Sequence, residues 1–178
     1  MTPSYPWYAV VTGRQLEQGD IFLGCPILKP VFNPSGVDTS NSLDMDLNTY
    51  DVIVMTQSCD LTHEGKISDV VLCPHWSTNE AAKIDQALGK RDTLDLIRKG
   101  YRPRYHLLAA STESEFNTGI RVVDFGQVFS APKSFLEQLT EKAGKRLRLC
   151  PPYREQLSQG FSRYFMRVGL PQDIVLPK

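Results

Sequence analysis

Two apolar, β-branched runs, Val52-Ile53-Val54-Met55 and Val70-Val71-Leu72, flank a polar turn and constrain this chain more than any other feature. The first is apolar almost without interruption, the pattern of a central strand buried on both faces. The second reads as its hairpin partner. Cys59, His63, Cys73 and His75 fall in and just beyond this unit, two of the four cysteines and two of the three histidines within 17 residues. Paired thiolates and imidazoles are what a tetrahedral zinc ion takes. Cys73 and His75, two apart in a strand, share a face; hairpin pairing would bring Cys59 beside them, with His63 as fourth ligand. Four protein ligands leave no position for water, so the expected ion is a structural zinc that staples the hairpin. The alternative is a pair of small buried thiols and two solvated histidines.

Further strand-like runs occur at Tyr8-Ala9-Val10-Val11, Ile21-Phe22-Leu23 continuing to Ile27-Leu28, Tyr105-His106-Leu107-Leu108-Ala109 and Ile120 to Phe125, with Val128-Phe129 extending the sheet. Pro26 and Pro30 put the second of these at an edge or beside a bulge. Residues 33–49 are polar and read as a long loop. Ser77-Thr78-Asn79-Glu80 has the hydroxyl cap and early acid of a helix start, and a second short helix ends at Gly100. After residue 133 the pattern turns helical; Tyr153, Leu157, Phe161, Tyr164 and Phe165 recur at helical spacing behind Pro151-Pro152. Strand-rich and helix-rich stretches are segregated, which argues against a parallel doubly wound sheet. The expectation is a single α+β domain over 1–178. It has a small, twisted, mostly antiparallel, barrel-like sheet over 8–130, a helical insertion at 79–100 and C-terminal helices at 133–170.

At 178 residues the chain is long enough for one packed core. Its first residues lack a basic segment followed by an apolar one, and no apolar run approaches membrane-spanning length. Four cysteines without an export signal read as reduced thiols, so the expected compartment is the cytoplasm. The net charge is zero but divided: residues 1–82 carry 3 Lys/Arg against 10 Asp/Glu, and residues 83–178 carry 17 against 10. Such a split implies a charged partner, two halves that face each other, or two solvated faces.

Gly19-Asp20-Ile21-Phe22, followed by the two apolar runs around a polar turn, resembles the opening of the MazF/PemK family of small barrel toxins over residues 16–78. The resemblance implies a barrel and RNA cleavage, with an arginine before the second apolar strand and a hydroxyl after the third. Tyr50-Asp51 occupies the first position here, and Ser77 or Thr78 the second. Gln57-Ser58-Cys59-Asp60 resembles the strand end of caspase-like cysteine proteases, although no histidine precedes Cys59 and no glycine follows Asp60. The same Q-x-C-D strand end is similar to that of bacterial proteins of unassigned activity.

Basic side chains interleave with aromatics at Arg98, Lys99, Arg102, Arg104 and His106, and recur at Lys145, Arg146 and Arg148. That pattern suits phosphate neutralisation with base stacking, or salt bridges to the acidic first half. Neither a GxxxxGK[ST] or GxGxxG phosphate loop nor an HExxH pair is present. The reading is a bacterial cytoplasmic binding module, zinc-stabilised, with a protein partner or self-association ahead of nucleic acid, and no membrane. The alternative is a toxin-like ribonuclease built on the same barrel, with the basic residues named above.

Overall fold

The apolar run at 52–54 is the middle of the sheet. The computed structural model describes residues 5–31, 44–63, 65–113 and 115–166. The strands are β1 (Tyr8–Thr12), β2 (Asp20–Pro30), β3 (Met45–Val54), β4 (Asp69–Ser77), β5 (Tyr105–Leu108), β6 (Arg121–Asp124), β7 (Phe129–Pro132) and β8 (Lys145–Leu149). The helices are α1 (Ser58–Thr62), α2 (Thr78–Ile84), α3 (Arg91–Arg98), α4 (Lys133–Ala143) and α5 (Tyr153–Phe165), with a 3₁₀ turn at Gln86–Gly89. The sheet runs β1-β8-β2-β3-β4-β6-β5, with β7 also paired to β4, and every pairing is antiparallel. The fold is α+β.

Alternation on β3 explains its place. Val52 and Val54 enter one core cluster with Val70 and Leu72 of β4, closed by Leu136 of α4. Ile53 and Met55 enter the opposite cluster with Cys73, Phe125 and Leu149, closed by Leu157 of α5. A strand covered on both faces must be apolar at successive positions, as this one is. A third cluster packs Ala81, Leu88 and Ile97 on Val122, so the expected insertion at 79–100 covers the β5–β6 end. It starts where its cap residues predict: Ser77 accepts from the Glu80 amide, and the Glu80 carboxylate accepts from the Ser77 amide.

The sheet is not closed into a barrel. Its two ends approach, since the Tyr8 hydroxyl of β1 donates to the Ala109 carbonyl just past β5 at 2.7 Å. Among the described residues no backbone ladder joins β1 to β5, so the sheet curls without losing its edges.

Two other expectations change. Residues 45–49, read as loop, are the first half of β3, and they pair with β2 as far as Pro30↔Met45. Ladder bonds sustain this arm where apolar alternation is missing; residues 33–43 of the expected loop lie outside the described residues. Within 133–170, residues 145–149 are a strand between β1 and β2. The period there is two, with Leu147 and Leu149 inward and Arg146 and Arg148 on the other side. Residues 167–170 lie outside the described residues. Finally, the register shift between Phe22 and Cys25 supplies the expected bulge, and only Asp20 and Ile21 of β2 pair with β8. Pro26 and Pro30 therefore sit where β2 has one neighbour and needs no second set of donors.

Gly19 accounts for the Gly-Asp-Ile opening. Its φ of +86° is one that L side chains rarely adopt, and a Cβ there would lie 2.9 Å from the Leu149 Cβ. The turn brings Asp20 directly opposite Arg148.

Candidate functional site

The hairpin register separates the four metal-ligand candidates. Cys73 lies opposite Ile53 and Leu72 opposite Val54, so residue 59 falls beyond the strand end. It sits in α1, exposed, with its Sγ 3.6 Å from the Asp60 carboxylate. His63 Nδ1 is 2.6 Å from the Cys59 carbonyl, to which it donates. Lys66 pairs with Asp60 at 2.5 Å and holds that carboxyl below its usual range. Cys73 and His75 lie inside, on β4. Burial pushes the Cys73 thiol up to about 12. Among the described residues, no three His, Cys, Asp or Glu side chains gather in a way that could hold a metal ion.

His75 belongs to a different constellation. Its Nδ1 accepts from Arg121 Nε at 2.6 Å, and Arg121 Nη2 donates to Asp51 Oδ2 at 2.5 Å. The Gly24 amide donates to the other Asp51 oxygen at 2.8 Å. An imidazole accepting at Nδ1 carries its proton on Nε2, which is buried and has no hydrogen-bond partner among the described residues. Burial, then the Arg121 charge, pulls the His75 pKa down to about 3; the Val52 carbonyl opposes both without reaching hydrogen-bond geometry. A neutral, fully enclosed imidazole beside a guanidinium organises the β3–β4–β6 junction. Sequence spacing grouped His75 with Cys73; its partner Arg121 is 46 residues away.

The basic residues divide into two groups, with Arg102 outside both. Arg146, Arg148, Lys145 and Arg104 are taken up by carboxylates. Arg146 donates to Asp20 and to the Gly13 and Gln15 carbonyls. Arg148 bridges Asp20 and Glu17, and Glu17 also meets Arg154. Arg104 grips Asp124 with two 2.8 Å bonds, and Lys145 meets Glu115. The acidic first half and basic second half thus meet each other at Asp20, Glu17 and Asp51. Arg102 is exposed and makes no ion pair among the described residues.

Arg98, Lys99 and His106 form the second group. They line a cleft of about 320 Å³ between the turn after α3 and helix α5. Gln156, Gln159 and Arg163 come to the same cleft from α5. Local spacing does not group Arg163 or the two glutamines with Arg98, Lys99 and His106. A neighbouring cleft of about 370 Å³ sets Cys59 against Arg154, Ser158 and Gln159, and no imidazole lines it.

An apolar surface lies on the β2–β3 arm. Leu28 and Leu47 face each other across β2 and β3, 62% and 66% exposed. Met45 and Val31 are exposed near them. A groove of about 620 Å³ runs beside these leucines and is bounded by Pro26, Ala131, Pro132 and Phe135. Among the described residues no helix is long and apolar enough to cross a membrane. No known protein family, curated protein or solved structure matches this chain.

Proposed function

We propose that this chain is a protein-binding module whose contact surface is the apolar face of the β2–β3 arm. The observation that carries this reading is the exposed, in-register pair Leu28 and Leu47 at the mouth of the apolar groove. Leaving a leucine in water forgoes roughly 1.5–3 kcal/mol relative to burying it, and two side by side reward a partner that covers them. The partner presents an apolar segment, either from a second copy of the chain or from another protein. Charge steering is secondary, because the acidic and basic halves already engage one another at Asp20 and Asp51.

A photo-cross-linking residue at position 47, in the full chain in its producing cell, tests the reading. The same residue at the exposed position 92 serves as control. The expected result is a discrete adduct at 47, absent at 92 and lost when Leu28→Asp is added. No adduct at 47, or one that survives Leu28→Asp, would overturn it.

A further inference from the structure

We propose that the cleft between the turn after α3 and helix α5 binds a small-molecule phosphate monoester of about nucleotide size. The observations are independent of the apolar arm. A volume of about 320 Å³ is at the lower end of the range for ligand pockets. Arg98, Lys99 and Arg163 come to its rim. Arg98 and Lys99 share one carboxylate, Asp95, at 2.6 and 2.5 Å, so the three cations and one acid leave two positive charges in excess. Arg163 makes no ion pair or side-chain hydrogen bond among the described residues. An unengaged guanidinium beside two further cations suits a dianionic phosphate, which it can grip through two parallel N–H···O bonds.

The rest of the cleft selects for something attached to that phosphate. His106 lies half-buried against Phe125, ring centroids 5.9 Å apart, and its ring nitrogens make no hydrogen bond among the described residues. Burial lowers its pKa to about 4, so at neutral pH it offers one donor and one acceptor and no charge. Gln156 and Gln159 add side-chain amides. Gly160 keeps this floor open. A Cβ there would stand 3.2 Å from the Phe125 ring and 3.5 Å from His106 Nδ1, between helix and imidazole. A cationic rim above a neutral, hydrogen-bonding, aromatic floor fits a phosphorylated polar molecule better than bare phosphate.

Titration calorimetry on the full chain tests this with five probes: adenosine 5′-monophosphate, ribose 5-phosphate, inorganic phosphate, adenosine, and a short single-stranded RNA. At least one of the two organic monoesters should bind saturably, about tenfold or more tighter than inorganic phosphate, while adenosine does not bind. Arg163→Glu should weaken the monoester about tenfold or more without moving the melting temperature, since Arg163 holds nothing in the fold. Arg102→Glu, outside the cleft, should leave binding unchanged. The inference is overturned if neither monoester binds, if Arg163→Glu binds as well as the parent, or if inorganic phosphate matches the monoesters. RNA binding that Arg102→Glu weakens as much as Arg163→Glu would also overturn it, since a diffuse nucleic-acid surface would then be the site.

Discussion

Arg146 and Asp20, 126 residues apart in the chain, meet inside the protein through an Nε–Oδ2 bond of 2.8 Å, with almost no exposure on either side chain. Arg148 adds a second guanidinium to the same carboxylate. Three strands, β1, β8 and β2, come together around this cluster. Its charges satisfy one another and need no external partner.

Asp20→Asn should therefore be among the most damaging polar substitutions in the chain. It leaves the buried Arg146 without its counter-ion, which costs about 3–5 kcal/mol. Glu17→Gln removes a partner that is more exposed and should cost less than about 1 kcal/mol. Urea unfolding of the two variants measures the contrast; equal losses would contradict the burial argument.

Leu157 closes the core on the α5 side and is fully buried, whereas Phe165, on the same helix, is 55% exposed. Leu157→Ala should cost about 2–5 kcal/mol. Phe165→Ala should cost less than about 1 kcal/mol. Equal melting temperatures for the two variants would mean that α5 does not pack as described.

Stability should fall as acid is added before the carboxylates titrate. Burial lowers His75 to about 3 and His106 to about 4, from an ordinary 6.5. Below pH 6.5 the unfolded chain takes up protons on these imidazoles while the folded chain does not. Their contribution is thus complete above 6.5 and is lost progressively as pH falls toward 4 and then 3. Melting curves between pH 7 and 5 should show the decline, and His106→Phe should make it shallower. A flat profile over that window would contradict the burial of both rings.

The four thiols should react in a fixed order. Cys59 is exposed, Cys150 is intermediate, and Cys25 and Cys73 are buried, with burial raising the last two to about 11 and about 12. Ellman's reagent should modify one thiol rapidly under native conditions, and Cys59→Ser should remove that phase. Chelator should change neither the rate nor the melting temperature. Protection of Cys59 by stoichiometric zinc would instead restore the proposal of a metal-stapled hairpin.

Elements whose causes are local were legible in the sequence. Val52, Ile53 and Val54 carry their two-sided burial in their own composition, Ser77 and Glu80, three residues apart, announce the start of α2, and the stripe from Tyr153 to Tyr164 marks the face of α5. The candidate sites were less legible. Cys59 and Cys73 are neighbours in sequence pattern, but the register that pairs Cys73 with Ile53 parts them. His106, Arg98 and Lys99 were visible as a basic run, while the glutamines and Arg163 that complete their cleft come from α5, 50 or more positions on.

The sequence alone determined the α+β class, the central hairpin, the capped insertion and the amphipathic last helix, because spacing and capping act over a few residues. Tertiary structure alone decided whether the sheet closes, which arginines are buried or free, and what His75 touches. A side chain's charge and shape are written at its own position. Its partner is set by strand register and sheet curl, which sum small packing energies over the whole chain.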